Sequence, residues 1–87
     1  MNKESITFHL DEAKEELDRT ITEILKDDYS EEEFQVAMGH LYHHLNTAWN
    51  GRNASAETHR ECKAVDFNSW RKFPTNEELN LDTDIED

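Results

Sequence analysis

The chain has 87 residues, room for one domain, and with 34% apolar against 34% charged residues and a mean hydropathy of -1.02 its core must be thin. A net charge of -12 argues against nucleic acid and anionic membrane surfaces as direct partners. The single cysteine, Cys62, excludes an internal disulfide and fits a reducing, cytoplasmic setting. No apolar run approaches the ~18 residues of a membrane span, and no signal-peptide core is expected at the N-terminus.

The charge is unevenly spread. Residues 1–33 carry twelve acids against four bases, residues 34–73 three against five, and residues 74–87 six against none. These differences, -8, +2 and -6, place a near-neutral middle between an acidic first element and an acidic tail.

In the first element Ile6, Leu10, Ala13, Leu17, Ile21 and Ile24 recur at spacings of four and three. That period predicts an amphipathic helix over 6–26. Phe8 falls nearly opposite Leu17 on the wheel and has no place on the stripe.

The segment "KDDYSEEEF" reads as a turn. Ser30 and Glu33 have the spacing of a capping box, with Tyr29 and Phe34 placed as a hydrophobic staple. A second helix follows over 31–58, with Phe34, Ala37, Met38, Leu41, Leu45, Ala48 and Trp49 on one face. Gly51 and Asn53 are the points at which it would close or kink. Two long helices joined by a short turn lie antiparallel, which sets His40 and Leu41 opposite Glu16 and Leu17.

The stretch "CKAVDFNSWRKFP" concentrates Val65, Phe67, Trp70 and Phe73 before the only proline, Pro74. These aromatics are the natural lid for the half-covered apolar stripes, with Asp66 capping a short helix. An alternative use of "SWRKFP" is as an exposed linear motif. The expected architecture is therefore all-α: an antiparallel two-helix hairpin carrying a docked C-terminal aromatic/helical segment over 64–81. A dimeric four-helix bundle would satisfy the same stripes. Residues 1–81 form the single domain, and 82–87 are an acidic disordered tail.

The stretch "HLYHHLNTAWNGR" holds the residues with the most chemistry. His40 and His44 share one helix edge at i,i+4, with His9 and Glu16 across the hairpin, a donor set conceivable for zinc or another divalent metal. His43 points away into solvent. The plainer reading is boundary histidines bonded to carboxylates across the hairpin, making stability sensitive to pH. His59 and Cys62 are close enough in sequence for a thiolate pair, but no oxyanion hole or glycine-rich loop accompanies them.

Tyr42, Asn46, Trp49 and Asn53 form a ridge of residue types enriched at protein interfaces. The competing structural use has Asn46 and Asn50 tying down the tail. The reading that follows is a small, acidic, non-enzymatic interaction or regulatory protein that needs no cofactor. It would bind a protein partner with a basic surface, or pair as a homodimer. Two alternatives stand beside it: a metal-binding helical protein or enzyme built on His40, His44, Glu16 and His9, and a nucleic-acid mimic that binds a basic protein.

Overall fold

The computed structural model describes residues 1–61 and 63–79, leaving out the side chains of Ala64 and Phe67. Four helices follow in order: α1 (Lys3–Glu23), α2 (Glu31–Asn50), α3 (Ala56–Glu61) and α4 (Ala64–Trp70). The Cys62 thiol, the Phe67 side chain in the expected lid and the expected disordered tail over 82–87 lie outside the described residues. No described helix is long and apolar enough to cross a membrane.

Helix α1 begins earlier than its apolar period predicts because Asn2 caps it. The Asn2 side-chain oxygen accepts from the Ser5 amide at 3.1 Å. Asn2 is itself held from the far end of α2: its amide donates to the Arg52 carbonyl at 2.6 Å and its side chain to the Ala54 carbonyl at 3.0 Å. The start of α1 is thus stapled to the chain leaving α2.

At the turn, the Ser30 hydroxyl accepts from the Glu33 amide at 3.1 Å, and the acids Glu31, Glu32 and Glu33 occupy the first turn of α2. The second helix then stops at Asn50 instead of running to about residue 58. Gly51 caps it, its amide donating to the Thr47 carbonyl at 2.9 Å. A Cβ there would stand 2.8 Å from His59 Cε1 and 3.3 Å from Trp70 Cε2, so glycine is what lets both rings close on the helix end. Ser55 then starts α3, its hydroxyl accepting from the Thr58 amide at 3.1 Å.

The hairpin packs through small side chains. Ala13 and Thr20 of α1 and Ala37, Thr47 and Ala48 of α2 are buried. Trp70 is the one large apolar residue that is buried among the described side chains. His40 faces Glu16, as the short turn predicts, and His9 faces His44.

What differs is the side on which the large apolar residues lie. On α1, Leu10, Leu17 and Ile21 each directly follow a residue at the helix–helix contact (His9, Glu16 and Thr20). On α2, Met38, Leu41 and Leu45 likewise follow Ala37, His40 and His44. One residue onward is a rotation of about 100° about the axis. In antiparallel helices that rotation turns both stripes to the same side of the layer. Leu10, Leu17, Ile21 and Ile24 remain 44–58% exposed there, with Phe34 and Leu45 at 38% and 40% beside them.

The C-terminal segment packs on the opposite side, so among the described residues the lid aromatics Trp70 and Phe73 do not cover the apolar stripe. Trp70 is 7% exposed, whereas Val65 and Phe73 are exposed. The polar edge of α2 docks the segment instead. Asn50 donates to the Trp70 carbonyl at 2.9 Å and to the Lys72 carbonyl at 2.6 Å, and Asn46 reaches the Arg71 carbonyl at 3.4 Å.

Candidate functional site

Two faces of the hairpin carry chemistry: the open apolar face, and an imidazole-lined cleft on the side where α3 and α4 dock. The cleft has a volume of about 490 Å³ and lies between the start of α1, the end of α2 and the returning segment. Phe8, His9, His43, Thr47, His59 and Trp70 supply most of its character.

His9 and His44 meet across the hairpin with Nδ1 atoms 3.2 Å apart. One ring donates and the other accepts, so both are not protonated together. Burial, followed by the neighbouring His44, His43 and His59, pushes the His9 pKa down to about 4. His43, expected in solvent, is half-buried because the returning segment covers that side of α2. Burial first, then His44, Arg71 and His40, lowers its pKa below the ordinary histidine value.

The four histidine and glutamate residues singled out in sequence separate into two pairs. His9 joins His44, while His40 Nδ1 lies 3.8 Å from Glu16 Oε1, a carboxylate that also accepts from Arg19 at 2.7 Å. Among the described residues no group of three or more His, Cys, Asp or Glu is placed to hold one ion.

His59 belongs to the cleft, although sequence spacing singled it out only as a partner for Cys62. Its Nε2 lies 3.0 Å from both Ser5 Oγ and the Gly51 carbonyl. Its ring stacks on Trp70 at 4.6 Å and 26°. Thr47, Ser5 and Phe8 complete the surroundings. Of these, Phe8 left a signal in the sequence as an aromatic off the stripe of α1, and Thr47 as one of the polar residues around Trp49.

The predicted ridge is divided. Tyr42 and Asn53 are exposed, Trp49 is half-buried and Asn46 is buried against the returning segment. Asn46 therefore stands inside the fold in this arrangement, off any outer surface. Tyr42 meets the edge of Phe73 at 5.5 Å. Trp49 donates its indole N–H to Glu78 at 3.2 Å and lies under the Arg52 guanidinium at 3.9 Å.

The chain matches no family model, and no curated protein and no solved structure matches it.

Proposed function

We propose that this chain is a small non-enzymatic interaction protein that receives a basic amphipathic helix on its open apolar face. The observation that carries the reading is the joint exposure of Leu10, Leu17, Ile21, Ile24, Phe34 and Leu45 on one side of the helix pair. A third helix laid along that face would complete a three-helix core, as helix-in-groove recognition does. At roughly 200 Å² per fully exposed large apolar residue, these six offer on the order of 500 Å², a contact of the size weak, transient partners use.

Charge selects the partner. Exposed Asp11 and Asp18 directly follow Leu10 and Leu17, and exposed Glu31 and Glu32 stand at the start of α2. With -12 overall, a second copy of the chain meets like charge, whereas a helix with lysine or arginine flanking its apolar stripe meets opposite charge. The single cysteine fits a cytoplasmic place of work.

The test is a titration of the full chain with a synthetic leucine–lysine amphipathic helix and with a scrambled peptide of the same composition. The amphipathic peptide should bind saturably, and Leu17→Asp should abolish binding while leaving the circular dichroism of the exposed-site variant unchanged. Equal binding of the scrambled peptide overturns the reading. So does sedimentation of the free chain as a dimer that Leu17→Asp dissociates, which would make a second copy the occupant.

A further inference from the structure

Four of the five histidines gather at one end of the hairpin, where the start of α1, the end of α2 and the returning segment meet: His9 on α1, His43 and His44 on α2, and His59 on α3. Their rings form a row, His43 to His44 at 5.2 Å, His44 to His9 at 5.5 Å and His9 to His59 at 6.4 Å between centres. His59 in turn stacks at 4.6 Å on Trp70, the buried anchor of the segment. From this row of imidazoles we infer an acid-released latch: protons taken up at His9 and His43 detach α3, α4 and Trp70 from the hairpin while α1 and α2 stay paired.

The groups around these two rings are of the wrong sign to welcome a proton. Near His9 lie His43 and His44 of α2 and His59 of α3. Near His43 lie His40 and His44 of its own helix and Arg71 of the returning segment. Among the described residues the one carboxylate lining the cleft is Glu4 of α1, which is exposed, and Arg60 of α3 adds a further cation. Burial comes first among the causes that hold both rings below the ordinary histidine value, His9 at about 4. Detachment takes His59 and Arg60 away from His9 and uncovers His43, so the detached form binds protons more readily. Docking is therefore complete above about pH 6.5 and lost as pH falls toward 4.

The segment yields before the hairpin because it is held by less. Its ties are the Trp70 ring and the carbonyl bonds from Asn46 and Asn50. The hairpin keeps its layer of small side chains, and toward the turn His40 meets the Glu16 carboxylate instead of another base. Asn2 grips the Arg52 and Ala54 carbonyls, so the point about which the segment swings falls just beyond, at Ser55.

The experiment follows the emission of Trp70 in a full-length Trp49→Phe background from pH 7.5 to 4.5, alongside amide NMR of the hairpin. The emission maximum should move to the red with its midpoint between pH 6.5 and about 4, while the amide signals of Ala13, Thr20 and Ala37 stay dispersed. His9→Gln and His43→Gln should each lower that midpoint by about half a pH unit, and the pair together by about one. His40→Gln, at an exposed ring, should move it less than either. An emission maximum that holds still down to pH 4.5 overturns the latch. So does a shift that coincides with loss of the hairpin signals, which is global acid unfolding. A midpoint that His9→Gln and His43→Gln leave unmoved overturns it as well.

Discussion

His9 and His44 approach through their Nδ1 atoms at 3.2 Å, one from each long helix, so the hairpin closes over a shared proton. A second proton would place two cations in contact at a half-buried site. The unfolded His9 takes up a proton near 6.5, whereas the folded one waits until about 4. Between those values the unfolded state binds more protons, so stability is present above pH 6.5 and is lost as pH falls toward 4. Denaturant midpoints of the parent should therefore drop between pH 7.5 and 5 by more than those of His9→Gln. The difference is on the order of 1 kcal/mol, allowing for solvent screening at a part-exposed ring. Parallel pH profiles for the two proteins would contradict the shared-proton account.

The two glycines should respond with opposite sign. At Gly51 a methyl group meets His59 at 2.8 Å and the Thr47 carbonyl at 3.0 Å, so Gly51→Ala must push the returning segment off α2. A cost of about 1–3 kcal/mol is expected from such overpacking. At Gly39 nothing lies within 4 Å, and Gly39→Ala should stabilise helix α2 by about 0.5–1 kcal/mol. Thermal melts of the two variants against the parent decide the matter.

Asn50 holds two carbonyls of the returning segment, those of Trp70 and Lys72. Asn50→Ala should cost about 1–2 kcal/mol and release the segment without melting the hairpin. In a Trp49→Phe background the remaining tryptophan, Trp70, should then shift its emission to the red while helical circular dichroism changes little. An unshifted emission would show that other contacts suffice to bury the indole.

The features legible in sequence were those set by local period and local caps. The two stripes of α1 and α2, the Ser30–Glu33 cap and the Glu16–His40 register all follow from spacing within or across one short turn. The face on which the helices meet does not. A helical wheel locates Leu10, Leu17 and Leu45 but is silent on whether they or the neighbouring Ala13, Thr20, Ala37 and Ala48 form the contact. The small residues form it, leaving the large ones outward. The end of α2 was hidden for a similar reason. Gly51 is required by rings that arrive from residues 59 and 70, and nothing adjacent to it announces them. Thr47 is visibly polar in sequence, but only the returning segment buries it, without giving its hydroxyl a partner.

Amide NMR mapping of the leucine–lysine peptide on the full chain probes the outward apolar face at residue level. A helix docked on that face should give saturable shifts at Leu10, Leu17, Ile21, Phe34 and Leu45, weakened as salt screens the acidic rim, with α3 and α4 unmoved. Shifts concentrated on α3, α4 or the Trp49–Glu78 contact would contradict it, and so would a face whose signals move with protein concentration alone.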